Sequence, residues 1–157
     1  MSDRFVAVFE AGTSSARCFV FDSAARIVAS RTSAWAYSPD QDRSSLQRQM
    51  DPAQVWETFC RLSCAALADA GVSPGQVAAV TATSQRQGLA FLDADGREIY
   101  MGPNTDLRAV FQGGVIDEES GRRVYETTGH TPSFLLAPAK LHWFRLQRPD
   151  AYDRIAT

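Results

Sequence analysis

The stretch FVAVFEAGTSSARCFVFD, residues 5–22, places a short polar segment between two apolar runs. The runs, Phe5–Phe9 and Cys18–Phe21, are rich in β-branched and aromatic residues, and Gly, Thr and Ser dominate the segment between them. Apolar runs on either side of such a cluster predict a β-hairpin. The chain is therefore expected to begin with two antiparallel strands joined by a polar tip.

The tip of this predicted hairpin carries groups that suit a phosphate. Backbone N–H groups, hydroxyls and a guanidinium are supplied by Gly12, Thr13, Ser14 and Arg17. Such groups around a permissive glycine can wrap a phosphate, and the carboxylate of Glu10 can hold Mg²⁺, directly or through water. The chemistry suggested is phosphoryl transfer. On this segment alone the alternative stays open, that the hydroxyls only satisfy backbone groups of a tight turn.

Length and composition restrict the class of protein. A chain of 157 residues fits one domain with a buried core, and 45% hydrophobic with 22% charged residues is ordinary for a globular protein. A net charge of −2 without a basic, aromatic-rich patch argues against a nucleic-acid partner. No run of 18 apolar residues occurs, so the sequence predicts no membrane span.

The three cysteines, Cys18, Cys60 and Cys64, form an odd and scattered set. Cys60 and Cys64 lie four residues apart on a predicted helix, and no His or Cys pair completes the ligand set of a metal site. We therefore expect buried, reduced thiols in a cytoplasmic protein.

Periodicity and capping residues predict the next elements. Ala25–Trp35 alternates loosely and predicts a third antiparallel strand, and the polar segment Tyr37–Met50 predicts a long loop. Asp51 is a good N-cap and Gly71 a good C-cap, so a helix is expected between them. The continuous apolar run Val77–Thr83 predicts a strand covered on both faces. Strand, helix and strand in this order predict a crossover onto a central sheet.

The remainder of the chain predicts a second hairpin and three helices. The hairpin pairs Leu89–Asp93 with Arg97–Tyr100. The helices are expected at Asn104–Gln112, Asp117–Thr127 and Ala137–Gln147, with a last turn after Pro149. Glycines at positions 113, 114 and 129 are expected to separate the three helices.

Five segments, taken in order, resemble one known family. They are EAGTSSARCFVFD from Glu10, MDPAQVW from Met50, SQRQG from Ser84, GPNTDLRA from Gly102 and AKLHW from Ala139. In this order and spacing they resemble the N-terminal part of the FGGY carbohydrate kinases, which include ketose and polyol kinases. The resemblance covers nearly the whole chain.

The resemblance implies an α/β fold of the ribonuclease H-like, actin-type ATPase class, with a mixed sheet and helices on both faces. Residues 1–157 would form an incomplete N-terminal domain. The second, nucleotide-binding domain of the family would be absent, and the family's catalytic base would lie beyond Thr157. The cofactors implied are ATP and Mg²⁺, and the substrate implied is a small sugar or polyol.

The resemblance also implies roles for individual residues. Glu10 would support the metal, where the family usually has Asp, and the longer side chain reaches about 1 Å further. Phosphate contacts would come from Gly12, Thr13, Ser14 and Arg17, and substrate contacts from Arg86, Gln87, Asn104 and Asp106. The alternatives are a surface arginine on a strand for Arg17, a solvated loop for the SQRQG segment, and a helix cap for the PNTD segment. Packing and surface roles are expected for Trp143 and Lys140.

The expected function is that of the N-terminal part of an ATP-dependent carbohydrate kinase, inactive as an isolated chain. The main alternative is a truncated, non-catalytic sugar-binding or interaction module, whose partner would be a separate C-terminal half or a second copy. A general actin-like ATPase would leave the SQRQG and PNTDLRA segments unexplained. A P-loop enzyme is disfavoured because the sequence has no GxxxxGK[ST] motif.

Overall fold

The computed structural model describes residues 4–37 and 46–157. Residues 38–45 of the predicted loop Tyr37–Met50 lie outside the described residues. The chain divides into two compact units, Met1–Ala36 with Asp51–Gln85, and Tyr37–Met50 with Arg86–Thr157. One domain over residues 1–157 therefore stays a prediction. Within the described residues, no helix has the length and apolar character that a membrane crossing requires.

The first unit is built on a mixed four-stranded sheet. Its strands are β1 (Phe5–Ala11), β2 (Ser15–Phe21), β3 (Ile27–Ala34) and β4 (Val77–Ser84), with a short 3₁₀ turn at Pro74–Gln76 before β4. The order is β3-β2-β1-β4, in which β1 pairs antiparallel with β2 and parallel with β4, and β2 pairs antiparallel with β3. The predicted hairpin, third strand and crossover are confirmed.

Helix α1 (Pro52–Ala70) forms the crossover and packs on β2 and β3. The carboxylate of Asp51 accepts the N–H groups of Ala53 and Gln54 at 2.8 and 3.3 Å, and Gly71 ends the helix at a φ of 63°. The core between helix and sheet contains Ala16, Cys18, Val20, Leu62 and Ala66. These contacts confirm the helix boundaries read from the capping residues.

Two burial predictions in the first unit are wrong. Strand β4 is largely exposed instead of covered on both faces, and the Val80 side chain is 62% exposed. The reason is position, since β4 is last in the strand order and α1 packs on β2 and β3. Of the three thiols only Cys18 is buried, and this burial raises its pKa. Cys60 and Cys64 are exposed because they lie on the outer side of α1.

The second unit combines a hairpin with three helices. The hairpin strands are β5 (Leu89–Leu92) and β6 (Glu98–Gly102), and the helices are α2 (Val110–Thr128), α3 (Ala137–Gln147) and α4 (Pro149–Tyr152). Its core contains Phe91, Tyr100, Ala109, Ala139, Trp143, Phe144 and Ala151. The predicted hairpin, the helix at Ala137–Gln147 and the turn after Pro149 are confirmed.

The two helices predicted on either side of Gly113 and Gly114 are one helix in the structure. Helix α2 runs through both glycines, and residues 103–109 form an irregular segment instead of a helix. Gly113 is buried, and a Cβ atom on it would lie 2.6 Å from the backbone nitrogen of Phe134. The glycine is present because another chain segment approaches the helix closely, so it does not mark a helix end.

Alanine at the two glycines should have opposite effects on stability. Gly113→Ala places a methyl group against the Phe134 backbone and should lower the free energy of unfolding by about 1–3 kcal/mol. Gly114→Ala meets no atom within 4 Å and should raise it by up to about 1 kcal/mol through helix propensity. Urea unfolding of both variants measures the difference, and equal effects would contradict the close approach at Gly113.

Two hairpin turns, DSAAR at residues 22–26 and DADGR at residues 93–97, share one device. In each, the aspartate carboxylate accepts the N–H groups of the second and fourth residues after it, all at 2.9 Å. These hydrogen bonds lower the pKa of Asp22 and of Asp93, and in each turn the arginine N–H makes the largest contribution. The third residue is left-handed in both turns, Ala25 with a φ of 59° and Gly96 with a φ of 77°.

Exchanging the residue types at the left-handed positions tests this equivalence. Ala25→Gly removes the steric cost of a Cβ at positive φ and should stabilise the chain by about 0.5–1 kcal/mol. Gly96→Ala introduces that cost in open space and should destabilise it by about 1 kcal/mol. Thermal or urea unfolding measures both changes. A destabilised Ala25→Gly variant would show that the alanine makes contacts that outweigh its backbone strain.

Candidate functional site

The end of the first hairpin brings Glu10 and Arg17 together. The β1–β2 register places them directly opposite each other, and Nη1 of Arg17 lies 3.0 and 3.2 Å from the two carboxylate oxygens of Glu10. The two side chains are 28% and 44% exposed, respectively. Their neighbours Phe9 and Cys18 pack toward α1, so strand alternation puts the ion pair on the opposite face of the sheet.

The loop at the tip is held by backbone hydrogen bonds. The N–H of Gly12 donates to the carbonyl of Ser15 at 2.9 Å, so that donor is already used within the turn. The indole N–H of Trp35 donates to the Gly12 carbonyl at 2.7 Å, and the Trp35 backbone N–H donates to Ser14 at 3.2 Å. Thr13 is half-buried and Ser14 is exposed. The tip is therefore fixed by Trp35, the residue directly after β3, while Ser14 stays exposed.

Glu10 extends over this loop. A Cβ atom added to Gly12 would lie 3.5 Å from Oε1 of Glu10 and 3.2 Å from the Ser15 carbonyl oxygen. The glycine thus leaves room for the carboxylate beside the turn. The structure brings four of the five hairpin candidates, Glu10, Gly12, Ser14 and Arg17, into one short hairpin end, and Thr13 lies between two of them in the chain.

The hairpin offers Mg²⁺ one carboxylate, that of Glu10. In the part of the chain that the structure describes, no three His, Cys, Asp or Glu side chains group closely enough to hold a metal ion. Mg²⁺ at phosphoryl-transfer sites is usually held by one or two carboxylates together with phosphate oxygens and water. The single carboxylate of Glu10 fits a metal ion that arrives with its phosphate ligand.

Arg86 and Gln87 form an exposed turn directly after β4. The N–H of Gln85 donates to the Ala11 carbonyl at 2.7 Å, which extends the β1–β4 pairing by one residue before the turn. Gln87 adopts a φ of 64°, which is uncommon for a residue with a long side chain. Strained residues of this kind cluster at functional sites. Both side chains are exposed and free of any core role.

Asn104 lies at the same end of the β5–β6 hairpin as Gln87. Leu89 pairs with Gly102, so Gln87 precedes this last pair by two residues and Asn104 follows it by two. Asn104 is half-buried. Gln87 of the SQRQG segment and Asn104 of the PNTD segment thus lie at one end of this hairpin.

Asp106 has a different place from the one expected for a substrate contact. Its side chain is fully buried, and Oδ2 accepts Tyr100 Oη–H at 2.5 Å and Arg108 Nε–H at 2.6 Å. Oδ1 accepts the backbone N–H of Arg48 at 3.0 Å, and the Lys140 ammonium donates to the Asp106 carbonyl at 2.7 Å. Neither carboxylate oxygen is exposed to a substrate hydroxyl, so the structure revises this assignment and gives Asp106 a role in holding its own segment.

Arg108 and Lys140 complete this buried cluster. The Arg108 guanidinium lies 4.4 Å from the ring centre of Tyr100, 5.0 Å from that of Trp143 and 5.7 Å from that of Phe144. Lys140 is fully buried, which corrects the expected surface position. Sequence reasoning missed both residues. The available signals were the D-x-R spacing of Asp106 and Arg108 and the fact that Lys140 is the only lysine of the chain.

Burial gives Lys140 an unusual titration. Desolvation lowers its pKa from the usual 10.5, and the neighbouring Asp106 carboxylate opposes that change only in part. At a pH between the folded and unfolded pKa values, Lys140 therefore keeps its proton in the unfolded chain and has released it in the folded chain. Between the two pKa values the free energy of unfolding rises with pH, and it levels off above the unfolded value of 10.5.

Lys140→Met tests this linkage, since methionine keeps much of the apolar stem without the amine. The stability of the natural chain relative to this variant should grow as pH rises through the range below 10.5, because only the natural chain carries the titrating amine. Urea unfolding of both proteins across this range measures the difference, in which the titration of shared groups cancels. A difference that is flat or that shrinks with pH would contradict the lowered pKa.

Comparison with known proteins agrees with this arrangement. Residues 5–157 match the FGGY family of carbohydrate kinases, N-terminal domain. The autoinducer-2 kinases of Salmonella typhimurium and of Escherichia coli strain SMS-3-5 are each 30% identical to this chain over 162 residues. These alignments cover 99% of this chain and 30% of each relative. The chain thus spans about 30% of the length of the curated relatives it matches.

Solved structures show the same fold. Gluconate kinase from Lactobacillus acidophilus superimposes with a TM-score of 0.85 at 17% identity, over 98% of this chain and 30% of that one. Xylulose kinase from Rhodospirillum rubrum gives a TM-score of 0.84 at 20% identity, over 98% and 31%. Plasmodium falciparum glycerol kinase with ADP gives 0.76 at 15% identity, over 96% and 30%. The predicted α/β fold with a mixed sheet, of the actin-like ATPase class, is confirmed by these kinases, whereas helices on both faces of the sheet stay a prediction.

Proposed function

We propose, since this chain belongs to the FGGY family of carbohydrate kinases, that it forms the N-terminal part of an ATP-dependent sugar or polyol kinase. The reaction transfers the γ-phosphoryl group of MgATP to a substrate hydroxyl. The observation that carries the proposal is the hairpin end, where a carboxylate, a guanidinium and hydroxyl groups meet around Gly12. These groups suit phosphoryl transfer, because its catalysis consists mainly of positioning and charge stabilisation.

In this function the hairpin serves the phosphate and the metal. Thr13 and Ser14 offer hydroxyls, Gly12 keeps the approach to the loop free of a side chain, and Arg17 supplies a planar, permanently charged donor. Glu10 would hold Mg²⁺, which when bound neutralises the charge of the phosphate oxygens. Because glutamate reaches further than aspartate, the length of the Glu10 side chain would determine the position of Mg²⁺ relative to the phosphate.

The substrate is served by the second unit. Arg86 and Gln87 are exposed, and their guanidinium and amide groups suit a neutral, hydroxyl-rich molecule. Asn104 adds a further amide at the same hairpin end, and Asp106 positions the segment that carries it. Related proteins are named as kinases of autoinducer-2, gluconate, xylulose and glycerol, so a small polyhydroxylated molecule is the substrate class we propose.

The catalytic base and the adenine site would be contributed from outside this sequence, and the reaction would take place in the cytoplasm. No residue of the hairpin is placed to accept the proton of an attacking hydroxyl, since the Glu10 carboxylate is engaged by Arg17. The isolated 157-residue chain should therefore form ADP no faster than a blank without protein when given ATP, Mg²⁺ and any of these substrates.

The endogenous polypeptide that contains this sequence provides the test. We expect an intact mass well above 17.2 kDa and ATP-dependent phosphorylation of at least one polyol or sugar from a panel. Arg17→Ala in that polypeptide should lower kcat/KM at least about 100-fold, because it removes a charged donor from the transferring phosphate. Arg31 lies on β3 and pairs with Asp69 of α1. Arg31→Ala should therefore change kcat/KM less than about two-fold. Equal effects of the two substitutions would refute the role of Arg17.

A second candidate function is a non-catalytic, partner-dependent module. The observation that favours it is the exposed strand β4, whose apolar Val80 is 62% exposed and whose outer edge pairs with no strand among the described residues. Exposed strand edges recruit further strands. An endogenous mass of 17.2 kDa, with a second polypeptide or a second copy co-purifying in fixed stoichiometry, would favour this function over the first.

A further inference from the structure

We propose that the ion pair between Glu10 and Arg17 is a latch that couples phosphate binding to metal binding. In the latched state Arg17 neutralises Glu10; when Arg17 turns to a phosphate oxygen, Glu10 is released to bind Mg²⁺. The inference rests on the proposed function, because it takes the phosphate and metal roles of the two residues from it. It adds that filling either role makes the partner residue more available for the other.

The ion pair occupies both functional groups at once. One nitrogen, Nη1 of Arg17, stands 3.0 and 3.2 Å from the two oxygens of Glu10, so it bridges the whole carboxylate. A divalent cation needs one or both of these oxygens and is repelled by a guanidinium between them. A phosphate in turn needs the guanidinium that Glu10 now holds. Each ligand must therefore displace the same contact.

The exchange requires rotation of the two side chains alone. The strands that carry the two residues stay in register through Ala11 opposite Ala16, and the tip is fixed by the hydrogen bonds of Trp35. The Glu10 and Arg17 side chains are 28% and 44% exposed, so both have solvent-filled space into which to turn. Oε1 of Glu10 already lies beside the position of Gly12, over the loop that would receive the phosphate.

Exposed ion pairs are weak, and opening one changes an affinity by about five-fold at most. A latch of this strength biases the site without blocking it. Because coupling between two ligands is reciprocal, phosphate should raise the metal affinity by the same factor by which the metal raises the phosphate affinity.

The test uses the 157-residue chain with Mn²⁺ as a paramagnetic substitute for Mg²⁺ and inorganic phosphate as the anion. Free Mn²⁺ measured by electron paramagnetic resonance gives its Kd with and without phosphate, corrected for the Mn²⁺–phosphate complex in a protein-free control. We expect phosphate to lower the Kd about two- to five-fold. In Arg17→Gln the Kd without phosphate should fall to the lower value, and phosphate should no longer change it.

A matched variant and a direct readout separate the latch from general electrostatics. Arg31→Gln removes one positive charge from the same sheet without touching Glu10, and it should keep the coupling of the natural chain. In nitrogen-15 spectra of the guanidinium groups, phosphate without metal should move the Arg17 Nη signals and leave those of Arg31 in place. This readout follows the release of Glu10 independently of any metal charge.

The remaining outcomes are decisive in different ways. If both ligands bind but neither changes the affinity for the other, the latch is refuted and the proposed function is unaffected. If Mn²⁺ and phosphate both fail to bind at millimolar concentrations and the Arg17 signals do not move, the roles given to the hairpin in the proposed function fail, and the latch fails with them.

Discussion

The buried carboxylate of Asp106 is the contact on which the arrangement of the second unit depends. The carboxylate joins β6 through the Tyr100 hydroxyl and the segment before α1 through the Arg48 backbone N–H. It joins α3 through an ion pair with Lys140 at 3.4 Å, and the Lys140 ammonium also donates to the Asp106 backbone carbonyl. Arg108, two residues along the same segment, closes the cluster. Leaving a buried charge without its partner costs about 3–5 kcal/mol, so these segments can separate only at a cost comparable to much of a domain's stability. The position of Asn104, two residues before Asp106, follows from this constraint.

Local signals made the first unit readable from the sequence. Two apolar runs around Gly12 predict the hairpin of β1 and β2. Helix α1 is bounded by Asp51, whose side chain caps its N-terminus, and by Gly71, whose left-handed φ ends it. Signals that depend on distant parts of the chain were misread. Gly113 resembles a helix break until Phe134 is seen against it, and the apolar run of β4 resembles a buried strand until its place in the strand order is known.

The candidate site divides in the same way. The contact of Glu10 with Arg17 was within reach of sequence reasoning, because a hairpin that pairs Ala11 with Ala16 must set residues 10 and 17 opposite each other. The two residues were instead given separate roles. The burial of Asp106 and Lys140 was beyond such reasoning, since charged residues are usually exposed and no pattern joins these two residues across their separation of 34 positions.

The burial of Lys140 also determines how this chain meets amine-directed chemistry. It is the only lysine in the sequence, and its side chain is fully enclosed in the folded second unit. Reagents and enzymes that acylate, cross-link or conjugate lysine amines therefore find no such amine on the folded surface of this sequence. The rate at which Lys140 reacts would report the opening of the core around it, so a single side chain serves as a built-in sensor of local unfolding.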